Sequence, residues 1–281
     1  MLPAPEVRNG IRYVETPDPG TGRQFLLVHG LGGSLENWAF VQRGLMPHGR
    51  TIAIDMPGFG DGPKLKTFDL DEIADRIGQF CVEADLKQAV MVSHSIGTPI
   101  NAEVSVRHRE LFSRLVIVSG ALSRADDMVH RPARALIHPF LGVSVAMQFL
   151  LGGRRPAPFL QRLTARSGLL KRLTLWPFVA SPAKFPADVM LETLKYSGSP
   201  TVYKIFSARK RFDYDSSLRR VTLPVDLIWG DSDKLMTQKD VDRLGKLVNL
   251  QRVLQLKNTG HWAPMERPDE VIKFILETPQ E

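Results

Sequence analysis

Three positions in this chain have the residue types and the order needed for nucleophilic attack on a carbonyl. Ser95 stands in the run Ser93-His94-Ser95-Ile96-Gly97, between the apolar segment Ala89-Val90-Met91-Val92 and a stretch with helical character. Small residues two positions to either side of a serine suit a sharp strand-to-helix turn that leaves its hydroxyl exposed. A larger Cβ substituent there would strike the neighbouring strand or helix. A serine hydroxyl is a poor nucleophile at neutral pH and needs a base beside it. His261, in Thr259-Gly260-His261-Trp262-Ala263-Pro264, is placed to take that proton and return it to a leaving group. Between the two, Val225-Asp226-Leu227-Ile228-Trp229 reads as a buried strand ending in Gly230-Asp231-Ser232-Asp233. Asp231 or Asp233 can therefore orient the imidazole and stabilise its charged form.

Further upstream, Phe25-Leu26-Leu27-Val28 runs into His29-Gly30-Leu31-Gly32-Gly33-Ser34, a turn whose backbone N–H groups can bind an oxyanion. Ala53-Ile54-Asp55 leads into the tight turn Met56-Pro57-Gly58-Phe59-Gly60. With the order Ser, Asp, His, these motifs resemble the α/β-hydrolase superfamily, in its serine-nucleophile branch with a helical cap. The resemblance covers about residues 23–121 and 222–275. It implies that Asp233 is the third member, through the family pattern Gly-x-x-Asp. It also implies that the N–H groups of Leu31 and Ile96 form the oxyanion hole, each worth about 3 kcal/mol of transition-state stabilisation. Ser93 departs from the family, which most often has glycine at that place. Serine as nucleophile, rather than aspartate, disfavours the dehalogenase and epoxide-hydrolase branches.

The elements that must position these residues are visible as apolar runs at 24–28, 51–55, 88–93, 114–118, 224–229 and 252–256. Helical stretches separate them at about 70–85, 96–109, 237–247 and 268–277. Strands alternating with helices predict an α/β fold, a mostly parallel central sheet flanked by helices. Strand continuity breaks after Ser119-Gly120 and resumes at Leu223-Pro224. The predicted organisation is a core of residues 1–121 and 212–281 with a helical cap at 122–211.

The net charge of +7 is unevenly distributed. Residues 122–211 hold 15 Lys and Arg against 4 Asp and Glu, a net +11, which leaves −4 for the rest. No nucleic-acid-binding motif accompanies this charge, and no nucleic-acid partner is expected. Ala135–Gly153 is 19 residues without a formal charge, close to the length of a membrane span. Pro139, Gly142, Ser144 and Gln148 interrupt it, with the last two on one helical face, so a buried or interfacial helix is expected. Next, Phe159–Trp176 interleaves Leu160, Leu163, Leu169, Leu170 and Leu173 with Arg162, Arg166, Lys171 and Arg172. The plainer expectation is a helical cap segment with its apolar face inward and its basic face solvated. The alternative is peripheral contact with anionic lipid.

The one cysteine, Cys81, excludes an intrachain disulfide and suits a reducing cytoplasm, where it would fill space in a helix. Met1–Glu6 has neither a basic nor an apolar signal region, so no signal peptide is expected. No Cys/His cluster suggests a metal, Gly30–Gly33 lacks the lysine of a phosphate loop, and no cofactor is expected. His29 is expected to shape its loop, His94 occupies the variable position of the turn, and His138 is a candidate for the pocket or the core.

The leading expectation is a hydrolase of carboxylic esters, with a hydrophobic acyl chain and an acyl-enzyme on Ser95. The first alternative is a carbon–carbon bond hydrolase of ring-cleavage diketones, to which His261-Trp262 is similar. That family's substrate-binding cap arginine has no evident counterpart here; Lys195 lies nearby but is a different residue type. A slow-turnover ligand receptor on the same fold is the second alternative.

Overall fold

The computed structural model describes residues 1–65, 69–120, 136, 139–206 and 213–277. Eight strands form one sheet: β1 (Glu6–Arg8), β2 (Ile11–Thr16), β3 (Gln24–Val28), β4 (Arg50–Ile54), β5 (Ala89–His94), β6 (Phe112–Val118), β7 (Val225–Gly230) and β8 (Leu250–Leu256). Their spatial order is β1-β2-β4-β3-β5-β6-β7-β8. From β4 to β8 every pairing is parallel, whereas β1–β2 and β2–β4 are antiparallel. The central strands are buried on both faces, which is why Phe25–Val28 and Leu115–Val118 are unbroken apolar runs. At the edge, β8 alternates between half-buried and exposed positions, as a strand with one wet face does.

Helices cover the two faces. On one lie α1 (Ala39–Leu45) and α11 (Pro268–Leu276), whose Val41, Leu45, Val271 and Ile275 pack on Phe25, Leu27 and Val116. On the other lie α2 (Leu70–Glu83), α3 (Gly97–Arg107), α9 (Tyr214–Arg219) and α10 (Gln238–Leu244). Side-chain caps fix several starts: Asp69 accepts the N–H groups of Asp71 and Glu72, and Thr237 with Asp240 forms a capping box. Helix α2 stops before the predicted 85 because Asp85 takes a positive φ of 51°. Cys81 is buried in α2, and burial pushes its thiol pKa up.

Between β6 and β7 the described residues form helices and turns only. These are α4 (Pro139–Gly152), α5 (Pro158–Arg166), α6 (Gly168–Leu175), α7 (Ala187–Tyr196) and α8 (Thr201–Phe206), followed by α9. Their small core joins Ala165, Leu175, Phe178, Val189 and Met190 to Met265 and Trp262. Helix α4 begins at Pro139, with Ser144 buried and Gln148, four residues on, at a cavity wall. No helix among the described residues is long and apolar enough to cross a membrane.

One element had no sequence signal, and one expectation needs correction. The sheet has an antiparallel N-terminal edge, β1–β2, that the apolar runs did not announce, because Arg12 and Glu15 interrupt β2. Arg12 is nevertheless buried, held by Glu36 and by Asp55 at 2.9 Å. The basic segment is also not turned apolar-side-in. Phe159, Leu160, Leu163, Leu169 and Leu173 are exposed, while Gln161 and Lys171 are buried. Gln161 reaches the carbonyl of Pro156, and the Lys171 ammonium donates to that of Phe185 at 2.7 Å, so the buried polar ends are satisfied locally.

Candidate active site

Ser95 occupies the turn between β5 and α3 with φ of 52°, a left-handed conformation that costs a non-glycine residue about 1–3 kcal/mol. The turn is held by Ser95 N–H donating to Val118 O and by Thr98 N–H donating to Ser95 O. Gly97 is obligatory for close approach: a Cβ there would stand 2.9 Å from His29 O and 3.0 Å from Val28 O. Ser93 fits where glycine is commoner because its hydroxyl is buried at 3.2 Å from Thr98 Oγ1, with Val116 O also in reach. A Cβ on Gly30 would likewise stand 2.9 Å from both His94 Nδ1 and Ser95 Cβ, so the turn after β3 lies directly against the serine turn.

His261 is buried in the loop after β8. Its Nδ1 lies 2.9 Å from Asp233 Oδ2, while its Nε2 is buried without a partner. Asp233 Oδ1 accepts the N–H groups of Leu235 and Met236, which fixes the carboxylate in the turn after β7. Burial alone would raise the Asp233 pKa. The His261 imidazole and the two backbone donors outweigh it and hold the carboxyl below the usual range. Asp231 is exposed and bonds Ser232 and the N–H of Thr259 instead. Of the two aspartates, then, only Asp233 reaches the imidazole.

The serine and histidine turns meet through His94. Its Nε2 is 2.8 Å from the carbonyl of His261, which can only accept, so this nitrogen carries the proton. The two rings are 5.0 Å apart. No hydrogen bond joins Ser95 Oγ to His261 Nε2 in this structure. Burial depresses the His94 pKa to about 3, so the ring is neutral. His29 is likewise depressed to about 4 by burial. It bonds Gly30 O through Nδ1 and accepts the N–H of Met56 at Nε2. It therefore ties the turn after β3 to the one after β4.

Leu31 borders a cavity between the turn after β3 and the inserted helices, and Ile96 precedes α3 in helical conformation. Neither N–H is committed to a turn, loop or cap bond within the described backbone. The turn containing Leu31 is fixed from two sides: Asp55 accepts the N–H of Leu35 at 2.7 Å, and Gly198 N–H donates to Gly32 O. Burial pushes the Asp55 carboxyl up to about 6 despite Arg12.

The cavity has a volume of about 180 Å³ and is walled by Leu31, Met147, Leu175, Phe178, Met190 and Trp262. Its polar lining includes Asn37, His94, Gln148, Arg154 and Ser197 together with Thr164, Thr174 and Thr193. Lys195 is exposed, lies over the Tyr196 ring, and is not part of the wall. His138 lies outside the described residues.

Several contributors had no sequence signal. His261 and Trp262 both donate their N–H to Phe178 O, and Glu266 accepts the N–H groups of Gly260 and Ala180. Burial, opposed by those two donors, pushes the Glu266 carboxyl up to about 7. A backbone carbonyl has no letter of its own, and Glu266 belongs to no motif. Among the described residues no cluster of His, Cys, Asp or Glu could hold a metal.

The chain is 28% identical to the uncharacterized hydrolase YugF of Bacillus subtilis (strain 168), over 91% of this chain and 90% of that one. It is 23% identical to Monoacylglycerol lipase ABHD6 of Homo sapiens, over 95% and 81%. Among solved structures, a meta-cleavage product hydrolase from Pseudomonas fluorescens IP01 superposes with a TM-score of 0.65 at 19% identity, covering 98% of this chain and 96% of that one. The model of the alpha/beta hydrolase fold matches residues 24–268, so the chain belongs to that family and is a hydrolase of the alpha/beta fold.

Proposed function

We propose that the protein is a serine hydrolase of carboxylic esters with a hydrophobic acyl chain. One observation carries this reading: His261 has one ring nitrogen on a buried carboxylate and the other buried with no partner, in a loop bonded to the serine turn. In the proposed reaction Ser95 Oγ attacks the ester carbonyl carbon while Nε2 of His261 takes its proton. The oxygen, now negative, accepts from the N–H groups of Leu31 and Ile96. The carbon–oxygen bond breaks and the alcohol leaves with the proton from Nε2. Water, deprotonated at the same nitrogen, then releases the acid from Ser95. Asp233 stays ionised and holds the ring throughout. Helices α4–α8 form the cap, and their Met147, Leu175 and Met190 give the acyl chain an apolar wall. The likeness to a monoacylglycerol lipase supports a lipid-like ester as substrate.

A second reading, cleavage of a carbon–carbon bond in a ring-cleavage diketone, is favoured by Arg154. This cation in a mainly apolar wall could pair with a substrate carboxylate. The likeness to a meta-cleavage product hydrolase is consistent with it. Steady-state hydrolysis of p-nitrophenyl esters from acetate to palmitate, beside a vinylogous diketone acid, separates the two. Ester turnover that shows a chain-length optimum and is lost in Ser95→Ala supports the first. Diketone cleavage without ester turnover replaces it by the second, and turnover of neither returns the chain to the ligand-receptor alternative.

A further inference from the structure

Helices α5 and α6 each carry a stripe that a globular protein would ordinarily bury. On α5 it is Phe159, Arg162, Leu163 and Arg166; beginning on α6 it is Leu169, Arg172, Leu173 and Trp176. Both follow the spacing i, i+3, i+4, i+7, which places four side chains on one helical face. All eight residues are exposed, with Phe159 and Leu169 at 66% and Leu173 at 61%. Leu150 on α4 is exposed as well, at 70%. The opposite sides of α5 and α6 are anchored, with Ala165 and Leu175 in the small core. The stripes are therefore an outer surface of well-packed helices, larger than scattered single apolar residues would make.

Along the sequence through these two helices the charge has one sign. Residues 128–187 contain nine Lys and Arg and no Asp or Glu. A two-fold pairing with a second copy would set these arginines against each other. A bilayer with anionic head groups meets both halves of the pattern. Its acyl boundary takes the Leu and Phe side chains, and its phosphates take the guanidinium forks at the same depth. We infer that this face of α5 and α6 docks the protein on an anionic phospholipid surface, lying in the interface rather than spanning it. Thr164, Thr174 and Leu175 on the same two helices border the cavity, so in a docked molecule these helices lie between the cavity and the lipid. The inference goes beyond the proposed chemistry and does not require it.

The test is co-flotation of the full chain with vesicles of phosphatidylcholine alone and of equimolar phosphatidylcholine and phosphatidylglycerol. Binding to the mixed vesicles should exceed binding to the neutral ones by at least tenfold and fall as salt is raised. Arg162→Ser with Arg166→Ser should weaken it by about fivefold per arginine. Leu169→Asp with Leu173→Asp should abolish it. Circular dichroism checks that the variants fold. If the aspartate variant does not, the serine variants and the salt dependence of the unaltered protein decide the matter. Equal partition onto both vesicle types, or absence from both, overturns the inference. So does a concentration-dependent dimer in sedimentation that the leucine substitutions abolish, which would make the face a contact between copies. Hydrolysis of p-nitrophenyl acetate by each variant reads the site separately, so failure of the proposed chemistry is distinguishable from failure of docking.

Discussion

The sheet and the helices inserted between β6 and β7 treat apolar side chains in opposite ways. In β3 to β7 the apolar runs are buried on both faces. In the insertion, eleven of the fifteen exposed large apolar side chains among the described residues fall between Leu136 and Trp176, while Lys171 and Gln161 are buried. A sheet between two helical layers leaves its strands no choice of face, so the pattern follows the fold. Helices attached along one side have a free face, whose composition then reports what it meets outside the chain. The core thus covers its apolar faces within the chain, and the insertion leaves one uncovered.

The sharpest way to break this division is to remove chemistry from the core alone. Ser95→Ala should lower kcat for every substrate by about 10⁵- to 10⁶-fold, with an unchanged thermal midpoint. Residual turnover that depends on chain length would place chemistry in the insertion. Asp233→Asn, which leaves His261 in the wrong tautomer, should cost about 10⁴-fold in kcat with little change in KM. The same loss in Asp231→Asn would reverse the assignment of the two aspartates.

Stability should follow the division too. Arg12→Leu strands Glu36 and Asp55 as buried carboxylates beneath the turn of Leu31 and should cost about 3–5 kcal/mol in denaturant unfolding. The pH dependence comes from the core histidines. His29 and His94 stay neutral when folded, with pKa values near 4 and 3, against about 6.5 unfolded. Below pH 6.5 the unfolded chain takes up protons that the folded one refuses, so stability falls as pH falls toward those values. His94→Gln should flatten the dependence of the thermal midpoint on pH in that range. At the small end, Leu169→Ser on the insertion's outer face should move stability by no more than about 0.5 kcal/mol. A cost of several kcal/mol there would mean that the face is covered within the chain.

The sequence carried most of the core and little of the insertion. Strand β3 is read at its observed bounds because a doubly buried strand is a continuous apolar run. Strand β2 was missed because its buried arginine looks like a surface residue until Asp55 and Glu36 are seen beside it. The turns bearing Ser95, Asp233 and His261 were legible because each is a local arrangement of small residues after a strand. The insertion misled because a basic, apolar-striped helix has the same letters whichever face is turned in, and only packing chooses. Arg154 at the cavity was illegible for the same reason, since its place depends on how α4 lies over the turn of Gly32.

Phe178 O holds the N–H groups of both His261 and Trp262, and Glu266 ties Gly260 to Ala180. The insertion is thereby moored to the loop of the base at 178–180, and again to the turn of Gly32 through Gly198. A movement that lifted the insertion as one piece would break these ties and release the backbone of His261 from Phe178. Arg155, between α4 and α5, adds a further tie to Asp61, and a ligand that forces Phe178 outward is expected to displace the loop of His261 and inhibit without touching Ser95.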